Sequence, residues 1–440
     1  MSRTAKATTS RTASTTTPGL HVADIVRVHL DEYLAARGGR MPVHLQRVLR
    51  QLTACRTPVL GGSLFQCSDC GATELRYHSC RNRHCPQCGG TARARWLERV
   101  SQQLLPVPYY QVVFTLPDEL SDLTLAHPAK VYQLLFRAAA DTLLEVAADP
   151  QYLGAELGFW LVLHTWGQQL QHHPHVHAVV PGGGLSPDGS RWVNCPASFL
   201  LPVRVLSQVF RDKFLAGLRR LWTDGELRGP AWPAAAEPCP AWLDQLAARD
   251  WVVWCQPPPP GLESRPEAVL AYLARYVSGT AISERRLIAF ANGAVTFQWK
   301  DYRTGRSDNL LTLPGVEFVR RFVQHILPRG FPRVRSYGLL ANRPRAAALT
   351  RCRELLGVPD QLPSPAALSA TESPRSDGAS SPSDEKSPMS DDESSPTWLC
   401  PACGSRAWHE IARTLRPPWW QVPPLSSRAR SPPPLRNPES

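Results

Sequence analysis

The sequence lacks any unbroken apolar run that approaches the ~18 residues needed for a membrane-spanning helix. Its first residues, MSRTAKATTSRTASTTTPG, also lack the apolar core of a secretory signal, which predicts an intracellular protein. The 12 cysteines in 440 residues are too few and too unevenly placed for a disulfide scaffold. Five of them lie between residues 67 and 88, and in a reducing compartment such clustering indicates metal binding.

Acidic residues are in short supply. The chain has 37 Asp and Glu against 49 Lys and Arg, which gives a net charge of +12 and a pI near 9.3. This excess favours a polyanionic partner, most often nucleic acid. A GC-rich coding sequence also enriches a chain in Arg, Ala and Pro, so the charge alone leaves the partner open.

Composition and hydrophobic periodicity divide the chain into five segments. We predict a disordered basic tail (1–18), a helical and zinc-binding domain (19–100), a larger catalytic domain (105–345), an acidic Ser/Pro linker (361–397), and a CPAC element with a Pro/Arg tail (398–440). In the larger domain the predicted elements follow the order β-α-β-β-α-β-α. This order predicts the α+β class, with a mostly antiparallel sheet against which helices pack.

Two CxxC pairs, CSDC at 67–70 and CPQC at 85–88, are separated by 14 residues. Each pair fits a tight turn, and four thiolates close a tetrahedral zinc site with no open position. The spacing therefore predicts one structural zinc site formed by Cys67, Cys70, Cys85 and Cys88. Between the pairs, His78, Cys80 and His84 could each replace a ligand, or they could face DNA alongside Arg81 and Arg83. The isolated CPAC at 400–403 has no second pair nearby, so the sequence leaves open whether it binds metal.

Histidines are concentrated in the stretch HTWGQQLQHHPHVHAVVPGGG (164–184), which holds five of the 13 in the chain. On a strand, residues i and i+2 share a face, so His175 and His177 project together while Val176 points to the other side. Two imidazoles so placed are natural ligands for a divalent metal that keeps positions open for phosphate oxygens and water. A small-substrate metallohydrolase is disfavoured because no acidic residue follows the pair.

About a hundred residues downstream, YLARY places Tyr272 and Tyr276 on one helix face. Alone, the pair would be read as core packing. A phenol with a pKa of about 10 is a poor nucleophile unless its target is polarised, and a metal held by the histidines could polarise a phosphodiester. Arg275 could hold a phosphate. Together these residues indicate a covalent nuclease site.

With these motifs in this order, the chain resembles the rolling-circle insertion-sequence transposases of the two-tyrosine HUH class, which carry an N-terminal transposase zinc-binding domain. The stretches that match are CRNRHCPQC, HTWGQQLQHHPHVHAVVPGGGLS, YLARYVSG, KDYRTG and LPRGFPRVRSYGLLAN, between about residue 20 and about residue 345. The resemblance implies an HUH-type antiparallel sheet with packed helices, preceded by a small helical, zinc-ribbon-like domain.

The resemblance also implies a chemistry. In this class a tyrosine attacks single-stranded DNA at an element end, forms a 5′-phosphotyrosine and frees a 3′-OH, while histidines hold Mg²⁺ or Mn²⁺ against the phosphate. No nucleotide cofactor is required. Carried over, the nucleophiles are Tyr272 and Tyr276, and the metal ligands are His175 and His177 with Gln168 or His164 as a third. Such an enzyme would work in the bacterial cytoplasm, associated with the nucleoid.

DNA contacts are expected from the zinc region and from the basic segment RRFVQHILPRGFPRVR (320–335). The arginines concerned in the zinc region are Arg76, Arg81, Arg83, Arg93 and Arg95. Two alternatives remain open from the sequence. A plasmid replication initiator or relaxase would use the same chemistry, whereas a zinc-containing DNA-binding regulator would use none and would leave the histidines and tyrosines as coincidence.

Overall fold

The structure is a computed structural model that describes residues 19–89, 96, 98, 100–196, 199–227, 240–258, 279–343, 345–358, 398–415 and 417–418. The predicted tail (1–18), the predicted linker (361–397) and the YLARY motif lie outside these residues. Within them, helices combine with antiparallel sheets, which confirms the α+β prediction. No helix in the described ranges is long and apolar enough to cross a membrane.

A five-stranded sheet forms the centre of the larger domain. Its strand order is β12-β4-β5-β3-β8, and every neighbouring pair is antiparallel. The strands are β3 (Tyr109–Thr115), β4 (Gly158–Trp166), β5 (His172–Pro181), β8 (Val253–Gln256) and β12 (Val334–Gly338). The strand that carries HPHVH is therefore the central one, with a partner on each side.

One face of this sheet is covered by helices. Alternate residues such as Phe114, Leu161 and Val176 are fully buried in a core that these helices share, because side chains two apart on a strand point to the same side. The helices on this side are α3 (Ser121–Ala126), α4 (Pro128–Ala148), α5 (Val203–Thr223) and α6 (Pro240–Ala247).

The opposite face is divided along the strands. At one end Tyr109, Trp160 and Val179 form a small apolar core with α8 (Arg345–Leu356). At the other end the same face carries the histidines. A short hairpin, β6 (Gly183–Leu185) with β7 (Trp192–Asn194), follows β5.

A second core joins the N-terminal helices to a distant part of the chain. It contains α1 (Val22–Ala36), α2 (Val43–Thr53), β9 (Leu287–Ala291), β10 (Ala294–Trp299), β11 (Asn309–Pro314) and α7 (Gly315–Gln324). The β9–β10 turn uses Asn292 and Gly293, both at positive φ (52° and 74°), as expected for an Asn-Gly hairpin. Residues assigned from sequence to two domains thus share one core.

A third sheet contains β1 (Gly62–Cys67), β2 (Thr73–Tyr77) and β13 (Trp408–Arg413) in the order β13-β1-β2. Both pairings are antiparallel. The sequence placed the CPAC element in a separate C-terminal segment, but in the structure this element packs on the N-terminal sheet. Nothing local in either segment predicts this pairing, because strand partners are chosen by tertiary packing.

Candidate active site and metal centres

Three histidines meet on the polar end of the central sheet. His164 on β4 lies directly opposite His175 on β5, and His177 follows two residues later on the same side. Each residue contributes one ring nitrogen to the cluster, and these three nitrogens all lie within 4.8 Å of one another. The ring centroids of His164 and His177 are 4.4 Å apart, and those of His175 and His177 are 4.9 Å apart. Three imidazoles in this arrangement can share a single metal ion.

Of the two candidates for a third ligand, the structure brings only His164 to the pair. Gln168 lies in the turn after β4, where its amide nitrogen donates to the Tyr302 hydroxyl at 3.2 Å. Its side-chain oxygen is 3.5 Å from the backbone nitrogen of Lys300. His164 is instead held within the strand, and Trp166 stacks on its ring at a centroid distance of 4.6 Å.

His164 and His177 are buried and His175 is partly buried, and the rings of His175 and His177 are oriented by neighbours. Burial lowers the pKa of His175 to about 4 and that of His177 well below its usual value, so both imidazoles are neutral at pH 7. His175 donates its Nδ1–H to the backbone carbonyl of His173 at 2.7 Å. This bond leaves the Nε2 lone pair of His175 available for a metal, since the second ring nitrogen sets the tautomer.

Gln111 on β3 plays the same part for His177. Its side-chain amide nitrogen lies 2.5 Å from Nδ1 of His177, and both groups are buried. A half-turn of an amide exchanges its oxygen and nitrogen, so the oxygen of Gln111 can accept Nδ1–H and leave Nε2 to a metal. Gln111 is not among the site residues predicted from the sequence. Its signal was a single polar residue inside the apolar strand YYQVVF.

We expect Gln111→Leu to lower the affinity for Mn²⁺ about 10- to 100-fold, because groups that orient ligating histidines contribute on this scale. Isothermal titration calorimetry of the purified variant measures the effect. The matched control is Gln298→Leu. Gln298 lies on β10 in a different sheet, and its side chain donates to the backbone carbonyl of Ser307. Equal affinities of a folded Gln111→Leu protein and the wild type would contradict the role given to Gln111.

A buried cation, Arg333, lies over the ring of Trp166, which stacks on His164. The Arg333 guanidinium is 5.6 Å from the centre of the Trp166 ring and donates to the carbonyl of Gly279 at 2.7 Å. Burial, with a contribution from nearby Arg83, lowers the pKa of Arg333 to about 10, so the side chain stays charged at neutral pH. Arg333 belongs to the predicted basic segment, but most of its side chain is enclosed (8% exposed).

His325 fixes the turn between β4 and β5. Its Nε2–H donates to the carbonyl of Leu170 at 3.2 Å, and Nδ1 is 3.3 Å from the Thr165 hydroxyl. A carbonyl can only accept, so Nε2 of His325 carries a proton. Leu170 has a positive φ of 59°. The bond therefore supports a turn whose backbone is unfavourable for a leucine.

This buried histidine predicts acid sensitivity. Burial lowers the pKa of His325 to about 4 in the folded protein from a usual value of 6.5, so between these values the unfolded chain binds more protons. The free energy of unfolding should fall as the pH drops from about 6.5 to about 4, by roughly 3 kcal/mol from this residue. Urea unfolding of wild type and His325→Asn at several pH values measures the difference. Parallel pH profiles would contradict the prediction.

The single predicted zinc site does not form. Cys85 and Cys88 instead join Cys55 and Cys80, whereas Cys67 and Cys70 face Cys400 and Cys403. The reason is the β1–β2 hairpin. The CSDC turn is at its tip and the CPQC turn lies beyond its open end, and a five-residue strand such as β2 spans roughly 17 Å. One tetrahedron cannot bridge that separation.

The first cluster comprises Cys55, Cys80, Cys85 and Cys88, all buried. The sulfur of Cys88 is 3.6 Å from those of Cys55 and Cys80. In a tetrahedral site with metal–sulfur distances of about 2.3 Å, sulfurs lie about 3.8 Å apart, whereas a disulfide requires about 2.05 Å. The donor set and its spacing therefore fit zinc. Cys55 was missed in the sequence because it follows a helix and has no CxxC partner.

In the CRNRHC loop, Arg83 contacts the larger domain. Arg83 donates to the carbonyls of Phe331 at 2.5 Å and Pro328 at 3.4 Å. His84 is buried, and burial lowers its pKa well below the usual value. Arg81 is exposed and has a φ of 53°. Arg83, predicted to contact DNA, is thus engaged within the protein, and Arg81 keeps an exposed side. The predicted site residues that lie outside the described structure are Tyr272, Tyr276, Arg275, Arg93 and Arg95.

Comparisons with known proteins agree with this geometry. The profile of a family described as "Putative transposase" matches residues 158–347, and that of a family described as "Transposase zinc-binding domain" matches residues 25–116. The first match spans the histidine cluster, and the second contains all four cysteines of the first cluster. No solved structure is a significant match to this chain. The chain thus matches a transposase family over the histidine cluster and a transposase zinc-binding family over the first cysteine cluster.

Two relatives specify the family. "Putative transposase y4qJ" of Sinorhizobium fredii (strain NBRC 101917 / NGR234) is 46% identical over 349 residues, which cover 79% of this chain and 86% of the relative. "Transposase for insertion sequence element IS801" of Pseudomonas savastanoi pv. phaseolicola is 31% identical over 349 residues, covering 76% and 79%. The chain belongs to the IS91/IS801 family of insertion-sequence transposases, which are DNA-cleaving and strand-transferring enzymes.

Proposed function

We propose that this transposase nicks and joins single-stranded DNA at element ends through a 5′-phosphotyrosine intermediate, in rolling-circle transposition. The observation that carries the proposal is the cluster of three histidines, His164, His175 and His177, on the central strand pair. A DNA-binding regulator without chemistry has no use for such a cluster. The transposase would act in the bacterial nucleoid.

The three histidines suit a divalent transition metal. Imidazole nitrogens are preferred by such ions, whereas Mg²⁺ prefers oxygen ligands, so we propose Mn²⁺ as the better fit of the two. When bound, the metal would polarise the scissile phosphodiester. The protein's part is to present three imidazole nitrogens from neighbouring strands, with Gln111 and the His173 carbonyl fixing two of the rings.

Tyr272 and Tyr276 are the proposed nucleophiles. In the cleavage step the phenol oxygen bonds to phosphorus, the bond from phosphorus to the 3′ oxygen breaks, and the phenol proton ends on that oxygen as a 3′-OH. The chain re-enters the described structure at Gly279, three residues after Tyr276. The carbonyl of Gly279 accepts a hydrogen bond from Arg333. The Arg333 guanidinium lies over the ring of Trp166, which stacks on the ring of His164. This connection supports a tyrosine motif that acts at the histidine cluster.

The zinc-binding domain would position DNA-binding residues against this site. The first cysteine cluster holds the loop from which Arg83 reaches the segment just before Arg333. We propose that Arg81 contacts DNA phosphates and that Arg275 holds the scissile phosphate. Such contacts make DNA affinity fall with salt concentration.

The experiment that tests the proposal uses oligonucleotides from the element's end, labelled at the 5′ or the 3′ terminus, with and without Mn²⁺. A 5′-phosphotyrosine retains the 3′ part of the strand, so only the 3′-labelled strand should appear as a protein adduct on a denaturing gel. The 5′-labelled strand should appear as a shorter free product. The adduct should be lost in Tyr272→Phe/Tyr276→Phe, and the single variants should rank the two tyrosines.

Tyr302→Phe is the matched control, because this tyrosine is exposed (73%) and lies near the turn after β4. An adduct that survives the double tyrosine change would contradict the assignment of the nucleophiles. If folded wild type binds the DNA but forms no adduct on either strand, the non-catalytic regulator is favoured. Cleavage restricted to plasmid origins rather than element ends would favour a replication initiator.

A further inference from the structure

The C-terminal segment 398–415 is attached to the N-terminal domain by extensive contacts. β13 pairs with β1 from Ser63 opposite Arg413 to Cys67 opposite Trp408. Backbone bonds extend this pairing at both ends, from Ser68 to Ala407 at 2.7 Å and from Thr414 to Gly62 at 2.8 Å. The segment therefore completes a sheet that the N-terminal hairpin begins.

Side chains reinforce the attachment. Trp398 packs edge-on against Phe65 at a ring distance of 5.1 Å and receives the Arg76 guanidinium on its face at 4.0 Å. His78 was one of the alternative zinc ligands suggested by the sequence. In the structure it lies 2.8 Å from the carbonyl oxygen of Thr414 and can donate to it. A side chain at Gly61 would meet that same oxygen at 2.6 Å. The hairpin surface is thus shaped to receive the C-terminal strand.

Four cysteines meet where the two segments join. Cys67 and Cys70 come from the CSDC turn, and Cys400 and Cys403 come from the CPAC turn. Sulfur–sulfur distances are 3.7 Å between Cys67 and Cys403 and 3.6 Å between Cys70 and Cys400. These values are close to the edge of a zinc–thiolate tetrahedron and far from a disulfide. Each turn supplies a CxxC pair, the usual ligand unit of structural zinc sites.

We propose that Cys67, Cys70, Cys400 and Cys403 bind a second structural zinc ion that fastens the C-terminal strand to the N-terminal domain. The site goes beyond the recognised family domains, because Cys400 and Cys403 lie outside both matched ranges, which end at residues 347 and 116. Its two CxxC pairs lie on either side of the larger domain in the sequence, so the ion would join the two ends of the described chain. It does not depend on the proposed strand-transfer chemistry.

Zinc content of the full-length protein tests this site. Wild type should bind two zinc ions per chain, and Cys400→Ser/Cys403→Ser should bind one. Cys67→Ser/Cys70→Ser should also bind one, and combining all four changes should still leave one, because both pairs serve the same ion. Cys195→Ser/Cys255→Ser is the control, since these partly buried cysteines belong to neither cluster, and it should keep two.

Two ions in folded Cys400→Ser/Cys403→Ser, or a single ion in wild type that this change leaves in place, would overturn the site. A kinetic measurement adds a check that uses the wild-type chain alone. Cys70 and Cys403 are exposed, whereas the first cluster is buried throughout. Zinc should therefore leave to a chromogenic chelator in two phases of equal size, and Cys400→Ser/Cys403→Ser should lack the fast phase. A single phase in wild type would count against two distinct sites.

A cleavage experiment tests the fastening. A specific protease site is inserted between residues 370 and 390 of the full chain, and the cut protein is passed over a size-exclusion column. The C-terminal fragment should co-elute with the remainder when zinc is bound and separate after chelation. A fragment that separates from the zinc-loaded protein, or stays after zinc is removed, would show that zinc is not the fastener.

Discussion

Replacing His164, His175 or His177 by Ala should lower Mn²⁺-dependent strand cleavage by roughly a thousand-fold. Metal polarisation of a phosphodiester contributes several kcal/mol to the transition state, and each 1.36 kcal/mol is a factor of ten in rate. Each variant leaves two imidazoles, which bind the ion more weakly and place it less firmly. Gel quantification of the covalent adduct under single-turnover conditions measures the loss.

The control for this series is His173→Ala. The ring of His173 lies outside the cluster, with Nδ1 3.2 Å from a carboxylate oxygen of Asp118. Only its backbone carbonyl supports His175, and that group survives the change. We expect near wild-type cleavage from His173→Ala and a severe loss from His164→Ala.

Gln168→Ala separates the two candidates for the third ligand. Since Gln168 is bonded to Tyr302 rather than to the histidines, this change should spare metal binding. The reverse outcome, with Gln168→Ala inactive and His164→Ala active, would show that the ligand set differs from the one the described strands bring together. Mn²⁺ titrations of both variants decide the point independently of DNA cleavage.

Loss of the first cysteine cluster should unfold the core that surrounds it. The apparent free energy of zinc binding in small zinc domains is about 10–16 kcal/mol. Cys88 contacts the sulfurs of both Cys55 and Cys80 inside the core of the N-terminal helices. We expect Cys88→Ser to lower the free energy of unfolding by at least about 3 kcal/mol. The loss should be smaller than the full free energy of zinc binding, because the three remaining ligands retain part of that binding.

Thermal unfolding followed by circular dichroism, with and without a chelator, measures this effect. Cys352→Ser is the matched control, because Cys352 is buried in the small core under α8 and belongs to neither cluster. Chelator should lower the midpoint in wild type and in Cys352→Ser, and it should have a smaller effect in Cys88→Ser. A Cys88→Ser protein with wild-type stability and zinc content would contradict the ligand assignment.

Much of the local structure was predictable because short-range periodicity sets it. The helices at Val22–Ala36 and Pro128–Ala148 have apolar residues at helical spacing in their own sequences, and Asn292-Gly293 is a residue pair that favours a hairpin turn. The common face of His175 and His177 follows from the two-residue repeat of a strand. The transposase family and the α+β class were likewise recognisable from motif order and element order. The role of the YLARY motif remains a prediction.

The ligand sets could not be predicted in the same way. Choosing His164 over Gln168 required the register that places His164 opposite His175. Gln111 became relevant only when β3 paired beside β5. The four cysteines of the two CxxC pairs looked like one site because sequence spacing does not show that a hairpin holds the pairs apart.

By itself the sequence determined the elements, the faces on which their residues lie and the family to which the chain belongs. Only the tertiary structure decided which faces meet: the third histidine, the division of eight cysteines into two clusters, and the return of the C-terminal strand to the N-terminal hairpin. The physical reason is that backbone geometry acts over a few residues, whereas strand register and core packing join segments that may be hundreds of residues apart.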